Sequence, residues 1–290
     1  MKILVLGGSG FIGNHLIQKL IIDRNEVVVF DVKRPKQNVE FKRINILDRS
    51  LEKNIIENKF DRIVNLAAIK GNSDKSYSEM LKVNSMGAGK IFQLAKDLQI
   101  PLVHISSTAV YGEFVKIPAD ENHPLNPIST YGSSKLLGED IGKKMMKGSK
   151  LSFVIFRPTI IYGPEGDDVI TSFIKKGLNK EPITLVDGGK YKRDFLYVKD
   201  LVDAINSSIN KKISGIFNIG SGKETTILKI TKIIQKFIPS LKTIDIKSNK
   251  KEVNQGALDI SKIKKELNFK PKYSLDMGIQ ETIQYYISNN

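Results

Sequence analysis

Ile3-Leu4-Val5-Leu6-Gly7-Gly8-Ser9-Gly10-Phe11-Ile12-Gly13 decides the fold. Its first four residues are wholly apolar, which suits a short strand buried on both faces, and the apolar pattern from Phe11 to Ile22 reads as a helix. Gly7, Gly10 and Gly13 join the two. Glycine lets the backbone turn sharply and come close to a pyrophosphate, while the N-terminus of the following helix offers free amides and the positive end of its dipole to the anion. The spacing differs from G-x-G-x-x-G, yet strand, turn and helix fall in register. No Walker A lysine-Ser/Thr pair follows, and Gly222-Lys223-Glu224 downstream lacks the spacing as well, which argues against an NTPase.

Outward from this turn, β-rich runs alternate with helical patterns. Val27 to Phe30, Arg62 to Leu66, Leu102 to Ile105 and Leu151 to Phe156 read as strands. Leu51 to Glu57, Met80 to Leu98 and Tyr131 to Met146 read as helices. Apolar strands alternating with helices come into parallel register through right-handed crossovers. The fold class expected is α/β, a Rossmann-type doubly wound parallel sheet with a smaller C-terminal substrate lobe. Residues 1–157 form the nucleotide-binding domain and 158–290 mainly the substrate lobe, where the pattern loosens into Gly- and Pro-bearing loops. The strand 215–219 is expected to return to the first sheet, and Asp259 to Leu267 and Leu275 to Tyr286 to close the lobe as short helices.

Composition narrows the chemistry. There is no cysteine, so disulfides, thiolate metal sites and thiol nucleophiles are excluded, and no metal site is expected. Lys+Arg 46 against Asp+Glu 31 gives 46 − 31 = +15, but the lysines are scattered in pairs such as Lys143-Lys144 and Lys264-Lys265. Without zinc-finger spacing or an aromatic-interleaved basic stripe, this is a solvated surface and nucleic acid is not an expected partner. No apolar run approaches a membrane span, and strand residues begin at Lys2, so neither a membrane anchor nor a leader fits and the cytoplasm is the expected location.

Two further positions suit a dinucleotide. Asp31 ends the second strand, where a carboxylate accepts both hydroxyls of an adenosine ribose and repels a 2′-phosphate, favouring NAD. Lys33 and Arg34 follow, and would hold a 2′-phosphate if the loop turned inward, which keeps NADP as the second reading. Ser106-Ser107-Thr108-Ala109-Val110-Tyr111-Gly112 follows the strand Leu102 to Ile105, putting its hydroxyls at the carboxyl edge of the sheet where ligands bind. Tyr131 and Lys135 then stand one helical turn apart. A buried phenol is a poor base until a nearby cation stabilises its phenolate, and Lys135 together with an oxidised nicotinamide supplies that charge. Ser107 would hydrogen-bond the same substrate oxygen.

Together these motifs resemble the extended short-chain dehydrogenases/reductases, the NAD-dependent nucleotide-sugar epimerase/dehydratase family, over essentially the whole chain. Asn65-Leu66-Ala67-Ala68, Val83-Asn84, Arg157-Pro158 with Tyr162-Gly163-Pro164, Arg193-Asp194-Phe195 and Asn218-Ile219-Gly220-Ser221-Gly222 add to the resemblance. It implies that Tyr131 is the acid/base, Lys135 its pKa modifier and nicotinamide-ribose ligand, and Ser107 the polarising hydroxyl, with Thr108 beside it at the substrate. Arg193 becomes a ligand of the nucleotide-sugar diphosphate. Cofactor contacts extend by the same resemblance to Phe11, Ile12, Asn45, Ile46, Leu66, Ala67, Ala68 and Lys70. A homodimer through Met80 to Leu98 and Tyr131 to Met146 is typical of such proteins.

Departures from the family pattern sharpen the expectation. Members that eliminate water at C6 carry an acid where Ala109 stands, often with another at Thr108, and without that acid the 4-keto intermediate lacks its proton donor for elimination. Ala67-Ala68-Ile69-Lys70 resembles the UDP-glucose 4-epimerase segment, whose lysine lies near the nicotinamide and cofactor phosphates. An asparagine that binds the substrate diphosphate is Ile160 here. A second diphosphate arginine has no match, leaving Asn249, Lys250 or Lys251 nearby, and the adenine-binding Asp is Asn45. His15, His104 and His123 carry no catalytic expectation. The reading is an NAD-dependent epimerase of a nucleotide sugar, acting at C4. A nucleotide-4-keto-sugar reductase consuming NAD(P)H is the nearest alternative, and a non-catalytic dinucleotide-binding module is the distant one.

Overall fold

The computed structural model describes residues 1–248, 253 and 255–289, so Asn249, Lys250 and Lys251 lie outside the described residues. Contacts divide it into two units, one of Met1–Gly112, Pro124–Arg157 and Val202–Phe217, the other of Glu113–His123, Pro158–Leu201 and Asn218–Asn290.

The first unit begins β1 (Lys2–Leu6), α1 (Phe11–Ile22), β2 (Glu26–Asp31), β3 (Glu40–Arg43), α2 (Ser50–Asn58) and β4 (Arg62–Asn65). Then come α3 (Tyr77–Met80), a π-helical stretch Leu81–Gly87, α4 (Ala88–Asp97), β5 (Leu102–Ile105), α5 (Thr130–Met146) and β6 (Phe153–Pro158). β1 pairs in parallel with β2 and β4, β2 with β3, β4 with β5 and β5 with β6. Every residue of β5 is buried, as are Ile3 to Leu6 of β1 and Val27 to Phe30 of β2. That two-sided burial is why these strands carry no polar alternation, and each fully buried Ile, Leu or Val contributes about 1.5–3 kcal/mol.

Past β6 follow β7 (Ile160–Tyr162), α6 (Val169–Leu178), β8 (Ile183–Val186), β9 (Lys192–Arg193), β10 (Phe195–Tyr197), α7 (Val198–Ile209), β11 (Gly215–Ile219) and β12 (Thr225–Thr226), then α8 (Ile227–Phe237), β13 (Thr243–Ile246), α9 (Ser261–Leu267) and α10 (Leu275–Ser288). The stretch whose pattern loosens into Gly- and Pro-bearing loops thus also contains three regular helices, α6, α7 and α8. β11 takes the edge of the main sheet, whose order is β11-β6-β5-β4-β1-β2-β3, while β7 with β10, β9 with β12 and β8 with β13 make separate two-stranded sheets. The order reverses beside β1, the switch point where α/β sheets bind ligands at the carboxyl ends of their strands.

The segment Met80 to Leu98, read as one helix, is α3, a π turn and α4 in succession, with right-handed helical backbone at both junctions. A π turn shifts the faces of a helix by inserting one residue per turn, and such insertions recur at functional sites.

Candidate active site

The glycine turn is built by close approach. Gly7 has φ +74°, and a Cβ there would sit 2.6 Å from the backbone N of Ala67. A Cβ on Gly13 would sit 2.3 Å from Gly8 O, so α1 packs directly on the turn. Helices α5, α6, α8 and α10 are capped by the side chains of Ser129, Asp168, Thr226 and Ser274, whereas Gly10 at the N-cap of α1 brings no side chain. The first-turn amides of α1 are therefore left to a ligand or water.

At the end of β2, Asp31 Oδ2 accepts from Ser9 N–H at 2.9 Å and Oδ1 from Val32 N–H at 2.6 Å, fixing the carboxylate beside the glycine turn. Ser9 Oγ in turn donates to Lys33 O. Arg34 lies over the Phe41 ring of β3, 5.1 Å from its centroid. The side-chain Oδ1 of Asn45 accepts from Leu47 N–H at 3.0 Å, and Ile46 beside it is buried. Phe11, Ile12, Leu66 and Ala67 are half-buried, and Ala68 and Lys70 exposed. A bare helix N-terminus, a turn only glycine can form and a fixed carboxylate at the next strand end fit a dinucleotide: Gly7 to Gly13 would hold its pyrophosphate and Asp31 its adenosine ribose.

From β4 the chain runs to Lys70 through a latch. Asn84, buried in the π turn, accepts from Ile69 N–H at 2.8 Å and donates to Ile69 O at 3.0 Å and to Ser134 Oγ at 2.9 Å. Ser134 Oγ donates to Tyr131 O at 2.8 Å. Asn84 thus joins the 66–71 loop to the helix bearing Tyr131, and a Cβ on Gly71 would stand 3.1 Å from Tyr131 Cβ.

Tyr131 opens α5 and is half-buried. A Cβ on Gly132 would lie 2.4 Å from Ala109 O, so the start of α5 rests on the single 3-10 turn Thr108–Val110 that follows Ser107. Ser107 Oγ accepts from Ala109 N–H at 3.1 Å and hydrogen-bonds the Tyr131 phenol. Burial raises the phenol above its ordinary pKa of 10.0, and the Ser107 bond opposes that by favouring the phenolate. Thr108 is half-buried beside it.

Beneath the phenol lie the buried charges. Lys135 is 2% exposed and donates to Ile105 O at 2.6 Å. Burial pulls its ammonium down to about 8, with the Glu139 charge pulling the other way. Glu139, fully buried, accepts from Ser106 Oγ at 2.5 Å and from Arg157 Nε at 3.0 Å and Nη2 at 2.6 Å. Arg157 Nη1 donates to Tyr111 OH at 2.9 Å. Burial presses the Arg157 guanidinium downward, but its bonds to Glu139 outweigh this and hold it above its ordinary value.

His104 on β5 is a core residue. Asn65 Oδ1 accepts from Ala67 N–H at 3.1 Å, so its amide nitrogen faces His104 Nδ1, also at 3.1 Å. This pairing assigns a neutral imidazole with its proton on Nε2. Burial, then the Lys135 charge, holds it far below the ordinary histidine range. His123 accepts through Nε2 from Val115 N–H, and His15 meets the Phe11 ring edge-on. Among the described residues no group of three or more His, Cys, Asp or Glu could hold a metal ion, and no helix is long and apolar enough to cross a membrane.

In the second unit Arg193 is half-buried on β9, donating to Lys192 O at 2.8 Å. Its neighbour Asp194 is buried and accepts from Ser221 N–H at 2.9 Å, Ser221 Oγ at 2.6 Å and Gly222 N–H at 3.0 Å. Asp194 therefore anchors the Gly220-Ser221-Gly222 turn. Asn84, Glu139 and Arg157 are residues whose roles sequence reasoning did not assign. For Glu139 the signal was present, because it continues Tyr131 and Lys135 at the same helical interval.

Residues 3–220 match the model of the NAD dependent epimerase/dehydratase family. A protein of Methanocaldococcus jannaschii provisionally named a UDP-glucose 4-epimerase is 35% identical over 99% of both chains. UDP-glucuronic acid decarboxylase 1 of Arabidopsis thaliana is 30% identical over 98% of this chain and 69% of its own length. The crystal structure of the Thermotoga maritima UDP-glucose 4-epimerase with UDP-glucose superposes with a TM-score of 0.92 at 28% identity, covering 100% of this chain and 99% of that one.

Proposed function

Because this chain belongs to the NAD-dependent epimerase/dehydratase family, we propose that it is an NAD-dependent epimerase of a UDP-sugar, inverting C4 through a 4-keto intermediate. The observation that carries the reading is the placement of Tyr131 at the head of α5, packed on the turn that follows Ser107, with Lys135 buried one helical turn on.

Tyr131, as phenolate, takes the proton of the C4 hydroxyl. Ser107 donates to the same oxygen and stabilises the charge that develops on it. The Lys135 ammonium has three protons; one goes to Ile105 O, and the others are available to the ligand and to the field that keeps Tyr131 ionised. NAD, held by the glycine turn and Asp31, would supply the acceptor for the C4 hydride and the means of returning it to the opposite face of the keto sugar. Tyr131 then gives its proton back, so the residues end as they began. Ala109 leaves no acid at the position where elimination needs one. Arg193 is the proposed ligand of the substrate diphosphate.

A second reading comes from the decarboxylase relative. The same oxidation applied to a sugar with a C6 carboxylate gives a β-keto acid, which loses carbon dioxide without further help from a protein acid. Incubating the protein separately with UDP-glucose and UDP-glucuronate, and following C4 configuration, carbon dioxide and cofactor absorbance, separates the readings. Inverted C4 without gas or net change in absorbance is expected; carbon dioxide from UDP-glucuronate establishes the decarboxylase instead, and net accumulation of reduced cofactor, from ketone reduction run in reverse, establishes a reductase.

The proposed homodimer is supported by Met86 and Leu137, which remain 64% and 45% exposed on the π turn and α5. Apolar side chains on two packed helices suit a second copy. Sedimentation should give a dimer for the wild type and a monomer for Met86→Glu/Leu137→Glu; a monomeric wild type refutes it.

A further inference from the structure

Tyr131, Lys135 and Glu139 recur every four residues along one face of α5, but only the first two touch the reacting groups under the reading above. Glu139 is buried completely, and its partners come from two other pieces of chain. Ser106 Oγ belongs to the segment that presents Ser107, and Arg157 belongs to β6. Through Arg157 the network reaches Tyr111 at the far end of the same segment, where the guanidinium also lies over the Tyr111 ring, 4.9 Å from its centroid. The stretch 106–111 is thus held at both ends by one ion pair. A surface pair would contribute little, but here both partners are at most 2% exposed, and losing one strands the other in the interior.

We propose that Glu139 is the positioning residue of this site, a buried anion that supplies the countercharge for Lys135 and, through Ser106 and Arg157, ties the Ser107 segment to α5. The proposal rests on the epimerase reading for its effect on turnover, while its electrostatic part stands on the protein alone.

The groups facing this anion are Lys135 on its own helix, Ser106 on the segment after β5 and Arg157 on β6; one step further out, Tyr111 meets Arg157 and His104 on β5 faces Lys135. His104 is neutral, so the buried charges are two cations and one anion. Removing the anion leaves Lys135 facing only a like charge. Removing Arg157 instead leaves Lys135 the sole partner of the anion. A structural role makes both substitutions act alike; the positioning role gives them opposite signs at Lys135.

The test follows the titration of Lys135 by NMR of lysine-labelled full-length protein, its signal identified by loss in Lys135→Met. Glu139→Gln should lower the midpoint by about 1–3 pH units and Arg157→Met should raise it. Turnover in Glu139→Gln should fall on the order of 10²-fold with KM little changed, since a small misplacement of reacting groups costs that much. Should Glu139→Gln fail to fold, the double variant Glu139→Gln/Arg157→Met strands no guanidinium, and its Lys135 midpoint should lie below that of Arg157→Met alone. Midpoints that move together, or not at all, overturn the proposal. If the titrations behave as expected but the wild type alters no nucleotide sugar, the epimerase reading fails and the electrostatic role of Glu139 stands.

Discussion

Tyr131 is asked to be a base although burial raises its pKa, so its usefulness depends on the charge beneath it. Tyr131→Phe keeps the ring and removes only the hydroxyl. Turnover should fall on the order of 10²–10⁴-fold, with the folded state and cofactor binding retained, as measured by steady-state kinetics and cofactor titration. Activity equal to the wild type would remove Tyr131 from the mechanism. Lys135 carries the complementary cost. Its folded pKa of about 8 lies below its ordinary value of 10.5, so between those values the unfolded chain binds more protons than the folded one. Wild-type stability should therefore rise with pH from about 8 toward 10, by up to about 1.4 kcal/mol per pH unit. Lys135→Met lacks this slope, so any stability advantage of the variant at neutral pH should shrink over that window; parallel denaturation profiles at pH 7, 8, 9 and 10 would contradict it.

At the scale of elements, the π turn Leu81–Gly87 matters more than its length suggests, because Asn84 makes the hydrogen bonds that join the 66–71 loop to α5. Asn84→Ala leaves the N–H and C=O of Ile69 without their partner, at about 1–3 kcal/mol. The expected result is weaker retention of NAD and a loosened Lys70 loop, read as faster amide exchange at Ile69 and Lys70 with α1 unaffected. Unchanged exchange there would show that the latch is redundant. Asn84 was visible in the sequence as part of a motif, but its hydrogen bonds were not, since a π turn has no local composition that separates it from an α-helix. The strands β1, β2 and β5 were legible because they are buried on both faces and read as continuous apolar runs. β3 was not, because Glu40-Phe41-Lys42-Arg43 sits at a sheet edge and its polar residues match a solvated loop. In α6 and α8 the helical period was present, in Val169–Leu178 and Ile227–Phe237, but neighbouring Gly- and Pro-bearing turns drew the reading toward loops. Of the candidate site, the residue types at Gly7, Asp31, Ser107, Tyr131 and Lys135 were readable from order along the chain. The Glu139–Arg157 pair needed the fold, since its partners are 18 residues apart.

For the whole molecule, cofactor choice becomes a question of which ligand stabilises which unit. The glycine turn, Asp31, the 66–71 loop and the Tyr131 helix all belong to the unit containing Met1–Gly112 and Pro124–Arg157. NAD should therefore act as a ligand of that unit's folded state. At about 100 times its Kd it adds about 2.7 kcal/mol, or roughly 5–10 °C in Tm at about 2–4 °C per kcal/mol for a unit of this size. NADP should give a smaller shift, because its 2′-phosphate would meet the Asp31 carboxylate that Ser9 and Val32 hold in place, while Arg34 is engaged on Phe41. Asp31→Asn keeps the hydrogen-bonding shape and removes the charge, so it should narrow the NAD–NADP difference by raising the NADP shift. Where calorimetry resolves two transitions, only the one belonging to this unit should move with NAD. An equal shift with both cofactors in the wild type would mean that Asp31 does not face the ribose, and the assignment of the β2 end as the adenosine site would fall with it.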